Sequence, residues 1–141
     1  MQKTRGLKIL MKKFLLMIFT FLLSFPVLGE WTEINSNVSN GHQTTFYIDF
    51  DRLRKSKDGL IYYWEVADYN PPSPGGMYSM LSYNEADCNK FRYRPLSASP
   101  YKQPMAKGKA YDSWESDGSE KWRYPKPNTA HETNLRKACA Y

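Results

Sequence analysis

The sequence predicts an α+β domain in which a meandering antiparallel sheet is closed by one C-terminal helix. Three observations predict it. Turn dipeptides recur between apolar runs, those runs alternate with period two, and the end of the chain switches to helical spacing. The 141 residues are one domain's worth of polypeptide, and 41% hydrophobic with 24% charged residues excludes a disordered tail or a multi-span membrane protein. Eleven Tyr and four Trp suit strands or a contact surface.

The elements follow in order. Asn40-Gly41 separates a first strand at 31–35 from a second at 45–51, and Asp58-Gly59 separates the second from a third at 60–69. Such dipeptides suit tight turns because their residues tolerate positive φ. In the second run Phe46, Ile48 and Phe50 share a face. In the third, Leu60, Tyr62, Trp64 and Val66 share one face, with Ile61, Tyr63, Glu65 and Ala67 on the other. A run apolar on both sides suits a central strand. The Pro- and Gly-rich stretch 71–76 is a break, after which 77–83 reads as a fourth strand. Phe91 and Tyr93 alternate with Lys90, Arg92 and Arg94 in a fifth, which Pro95 and Pro100 are expected to end early or confine to an edge. Residues 110–115 are a further candidate. Thr129-Ala130-His131-Glu132 matches a capping box, in which each end residue's side chain satisfies the other's backbone N–H. His131, Leu135, Ala138 and Cys139 then share a helical stripe.

Residues 1–29 carry five basic groups and no acid. Lys12-Lys13 precede an apolar run over 14–25, whose helix would rise about 18 Å, short of a ~30 Å hydrocarbon core. Pro26 breaks that run, and Val27-Leu28-Gly29 resembles a cleavage site before Glu30, so 1–29 reads as a secretory signal peptide. Met11 is a candidate true start. No Cys follows the apolar run, so no lipid anchor is expected. Setting 1–29 aside leaves 15 basic against 14 acidic residues, a charge of +1 that disfavours nucleic acid as a partner.

Export places both thiols in an oxidising space. Cys88 and Cys139 are the only cysteines, so one disulfide between them is expected. It closes a loop of about 50 residues, worth on the order of 4 kcal/mol. It would pin the helix, which is marginal alone, against the sheet.

The residues carry no recognisable catalytic motif. His42 and His131 lack a second ligand at metal-binding spacing, and Asp51, beside Arg52 and Arg54, reads as a charged strand end and not as half of a catalytic carboxylate pair with Asp49. There is no Gly-x-Ser-x-Gly elbow and no phosphate loop. No catalytic residue, metal or cofactor is therefore expected. Lys90, Arg92, Tyr93, Arg94 and Tyr101 instead form a candidate protein-contact patch, since Arg beside aromatics is the composition of interfaces. One short helix cannot cover both faces of a five- or six-stranded sheet, which leaves a face for loops, a second copy or a partner.

From residue 31 to 139 the chain resembles the surface-adhesin protein E-like domains of Gram-negative bacteria. The resemblance rests on Asp87-Cys88-Asn89-Lys90-Phe91-Arg92-Tyr93-Arg94, Leu96-Ser97, Pro104-Met105 and Gly108. Tyr47-Ile48-Asp49, Trp64, Trp122 and Cys139 extend it, whereas Ala106 stands where that family often has Gly. It implies a sheet of about six strands with the C-terminal helix tethered across the concave face by the disulfide. It also implies a non-enzymatic binding module with a protein partner in host matrix or envelope, and a homodimer is compatible with it. The domain would span residues 30–141, exported to the periplasm or cell surface without a lipid anchor. Membrane contact would come only through an uncleaved signal peptide. The alternatives are a soluble periplasmic accessory or structural protein without a host ligand, and an enzyme of unknown class.

Overall fold

A computed structural model of the chain describes residues 30–141. The expected signal peptide lies outside the described residues. Six strands form one antiparallel sheet in chain order: β1 (Trp31–Ser39), β2 (His42–Lys55), β3 (Leu60–Asn70), β4 (Ser79–Asp87), β5 (Arg92–Tyr101) and β6 (Trp114–Glu115). The predicted turns are where the sheet reverses. Asn40 and Gly41 both take positive φ, as does Gly59. The fourth turn depends on Phe91 at φ 48° and on Asp87, whose Oδ1 accepts from Lys90 N at 3.1 Å.

Helix α1 (Ala130–Ala140) packs on one face of the sheet. Its Leu135 and Ala138 meet Ile48, Ile61, Tyr63 and Ala86, all fully or almost fully buried. Cys139 is joined to Cys88 with a Cα–Cα distance of 5.6 Å, so the last turn is fixed to the β4–β5 turn. A polar link fixes the first half. Asn35 Nδ2 on β1 donates to Asn134 Oδ1 on α1, and Asn134 Nδ2 donates to Glu65 Oε2 on β3 at 2.8 Å. The expected fold class is therefore present: α+β, six antiparallel strands, one C-terminal helix and its disulfide.

Four details depart from the sequence reading. The capping box is half reciprocal. Thr129 Oγ1 accepts from Glu132 N, but Glu132 Oε2 accepts from Asn128 N at 2.7 Å and not from Thr129 N. Strand β4 continues past Tyr83 through Asn84, Glu85 and Asp87, all buried. Polar residues can be buried in a strand when neighbouring strands supply partners, which no run of one strand reveals. Strand β5 does not end at Pro95. The missing N–H coincides with a register shift, Tyr83 facing Ser97 while Asn84 faces Pro95. Of the candidate strand at 110–115, only Trp114–Glu115 is a strand, with an isolated bridge from Ala110 to Tyr101.

Candidate functional site

The sheet has a second face, opposite α1, and the strand register arranges it in rows. One row reads Trp31, Asp49, Trp64, Tyr83, Ser97 from β1 to β5. The next reads Arg54, Tyr62, Glu85, Arg94, and a third reads Leu60, Asp87, Arg92. Laterally paired residues project to the same side of a sheet, and the irregularities between Asp49 and Arg54 on β2 and between Pro95 and Ser97 on β5 restore the alternation that keeps these rows on one face.

Their contacts form a ladder. Where β2 bulges after Asp49, the chain turns back so that Asp49 Oδ1 accepts from Arg52 N at 3.1 Å and Oδ2 pairs with the Arg52 guanidinium. That guanidinium sits 5.5 Å from the Trp31 ring and 5.5 Å from the Trp64 ring. Trp64 packs on Tyr83 at 4.6 Å between centroids, and Tyr83 on Tyr62 at 6.3 Å. The Tyr62 hydroxyl donates to Glu85 Oε1 at 2.8 Å, while Glu85 Oε2 pairs with Arg94. Arg94 and Arg92 lie 4.5 and 4.4 Å from the Trp122 ring, and Arg92 pairs with Asp87 at 3.0 Å. Cations against aromatic faces contribute about 0.5–2 kcal/mol each, rising with desolvation.

The charges are placed to stay charged. The hydrogen bond to Glu85 raises the Tyr62 pKa, with burial adding to it, so its hydroxyl remains a donor. Burial opposes the Asp87 carboxylate, yet the Lys90 N–H and Arg92 outweigh it and lower its pKa. The acids carrying the ladder, Asp49, Glu85 and Asp87, are buried, whereas the Arg52 side chain is 48% exposed. Arg54 is exposed and has no ion pair among the described residues. The outer surface is thus guanidinium and aromatic, with its carboxylates beneath.

The predicted contact residues divide between places. Arg92 and Arg94 lie together under Trp122. Tyr101 shares their face but stands about 30 Å along β5 from Arg92, opposite Ser79. Tyr93 lies on the helix face, stacked 5.9 Å from His131. Lys90 is exposed in the β4–β5 turn. The sequence reading missed Trp31, Arg52, Tyr62, Trp64, Tyr83 and Trp122 as one assembly. The alternation of Tyr62 and Trp64 was a visible signal, but the join to Trp31 and Tyr83 needs the register of three strand pairs. Among the described residues no three His, Cys, Asp or Glu gather as a metal site, and no helix is long and apolar enough to cross a membrane.

Against known proteins, the family model of surface-adhesin protein E matches residues 31–140, from the first strand to the end of α1. The chain belongs to the surface-adhesin protein E family. Its match covers the sheet, the helix and both cysteines together. Membership makes the protein adhesin-like and points to a surface or extracellular role in protein binding. No curated protein and no solved structure matches the chain.

Proposed function

We propose that this protein is an exported, non-enzymatic binding module that contacts a host-matrix or envelope protein through the open face of its sheet. The observation that carries this reading is the row of half-buried aromatics and guanidiniums from Trp31 to Trp122 on the face that α1 leaves uncovered. Aromatic and Arg side chains dominate binding at protein interfaces. Here they are already held in place, so little side-chain order is lost on binding. The family supports an adhesin role, and the signal-like residues 1–29 support export.

Arg54 gives the test. It is exposed, lies on this face opposite Tyr62, and among the described residues has no ion pair to lose. Arg54→Glu is expected to weaken capture of matrix or envelope proteins about ten-fold, while moving the melting temperature by less than about 2 °C. Unchanged binding to every partner that the parent protein captures sinks the open-face assignment. Protease shaving of intact cells tests location: cleavage places the module on the cell surface, and protection until the outer envelope is opened places it in the periplasm.

A further inference from the structure

The open face ends in a cavity of about 290 Å³ that the ladder does not use. It is lined by Gln43, Thr45, Tyr47, Asp68, Tyr69, Asn70, Tyr78 and Pro104. We infer that this cavity receives the ammonium or guanidinium group of a lysine or arginine side chain from a bound polypeptide. The inference rests on the protein-binding reading above and adds to it a subsite with a defined chemistry.

The position follows from the register. Thr45 faces Asp68 across β2 and β3, and Tyr47, two residues on, is the diagonal neighbour of Asp68. Tyr47 faces Glu33 on β1. The short 3₁₀ turn Pro104–Ala106 closes over this end, Met105 N donating to Asp68 Oδ1 at 2.7 Å. Ala106 N donates to Ser79 Oγ at 2.9 Å and so fixes the same turn a second time.

The chemistry selects a cation. Among the described residues no Lys or Arg lines the cavity, whereas Tyr47, Tyr78 and the Asp68 carboxylate do; Tyr69 alternates with Asp68 and turns its ring toward Glu65 on the helix face. Asp68 Oδ1 is held by Met105, but among the described residues Oδ2 has neither a hydrogen-bond donor nor an ion pair within 4 Å. Nor is that oxygen a buried orphan, so it is open to an incoming donor. Burial is the main cause of the raised Tyr47 pKa, with the negative charges of Glu33 and Asp68 adding to it, so its ring sits in a negative field. Tyrosine faces attract cations, and a carboxylate completes the recognition. Lys107 is a competing charge, acting on Asp68 from beyond contact distance. The volume lies at the small end of ligand pockets, roughly 300–1,000 Å³, which suits one side chain.

The test is a chemical-shift titration of the folded domain with three probes: acetyl-Gly-Lys-Gly-amide, the same peptide with norleucine for lysine, and n-butylammonium. The lysine peptide is expected to shift the amides of Thr45, Tyr47, Asp68 and Asn70, and the norleucine peptide to leave them in place. Asp68→Asn keeps an acceptor for Met105 N and should weaken the lysine peptide about three- to five-fold. Lys107→Ala should strengthen it. Equal shifts from both peptides, or Asp68→Asn binding as well as the parent, overturns the inference. Butylammonium binding as tightly as the lysine peptide reassigns the cavity to free amines and overturns it as well. Capture of a partner by the open face is read separately through Arg54→Glu, so the failure of one does not mimic the failure of the other.

Discussion

The two faces of one sheet are stabilised by different chemistry. The face under α1 is held by apolar burial, with Ile48, Tyr63, Leu135 and Ala138 closed to solvent and a disulfide at the end of the helix. The open face has as many aromatics but no helix, and its rings are held by ion pairs and guanidiniums. A covered face can rely on the hydrophobic effect, which needs no particular partner. An uncovered face has to satisfy each polar group while leaving rings accessible, so its side chains are fixed one by one. The first arrangement builds the fold; the second leaves the surface proposed above to meet a partner.

Breaking the covered face should have the largest effect. Replacing Cys88 and Cys139 with Ser removes a cross-link between residues 51 apart in sequence, costing about 4 kcal/mol in the chain-entropy model. That is a large share of the roughly 5–15 kcal/mol stability of a domain. The helix should loosen before the sheet, because an eleven-residue helix has little stability of its own. Limited proteolysis followed by mass analysis checks this. Early cuts within 125–141 are expected only in the reduced or Ser-substituted protein, and identical fragment patterns would show that the helix does not need its tether.

Breaking the open face should cost less, and in a different way. Arg94→Glu puts a third negative charge beside Glu85 and Asp87, and removes the cation on Trp122. Arg94 keeps only 27% of its side-chain exposure and Glu85 only 7%, so solvent screens the pair incompletely. A loss of about 2–3 kcal/mol is expected, between the exposed and buried limits for breaking an ion pair. Denaturant unfolding measures it. Arg94→Glu combined with Glu85→Arg should recover part of the loss, and a single variant as stable as the parent would mean that the ladder is not structural.

Much of the covered face was legible because it follows periods. Alternation placed Ile48, Ile61 and Tyr63 on strand faces, helical spacing grouped Leu135, Ala138 and Cys139, and two cysteines left one pairing within the chain. The open face was only partly legible. Arg92 and Arg94 stood out as a local cluster, but their acids on β4 lie in a stretch, Asn84 to Asp87, that reads as polar and ends a strand prediction too soon. Trp122 lies in an irregular segment, joined to β5 by the Tyr93–Arg123 bridge, and no period marks it. The tyrosine cavity needs two strands, the residue before β4 and a 3₁₀ turn to meet. Contacts of that range depend on register, which a single sequence expresses only weakly.

The smallest effect tests the one place where the covered face borrows the chemistry of the other. Glu65 lies beneath α1, on the face of Ile61 and Tyr63, and among the described residues no guanidinium pairs with it. Burial pushes its pKa up to about 7, against the opposing hydrogen bond from Asn134. The other groups around it are neutral: Asn35 from β1, Asn134 from α1, Tyr63 and Tyr69 from its own strand, and Tyr93 from β5. A carboxyl group raised above its unfolded value binds its proton more tightly in the folded state. Its stabilising contribution is therefore complete below about pH 4.5 and is lost as the pH rises through about 7. Asp87 and Glu132 have lowered pKa values, so their contributions run the other way and are lost in acid. Comparing the parent with Glu65→Gln isolates the one group, because Gln keeps an acceptor for Asn134 and does not titrate. Between pH 4.5 and 7 the parent should lose roughly 1–2 kcal/mol relative to Glu65→Gln, less than the full shift implies because the residue is only partly buried. Urea unfolding across that range checks it. Parallel pH profiles for the two proteins would show that Glu65 is as well solvated as a surface carboxylate, and that the polar link under α1 carries no charge penalty.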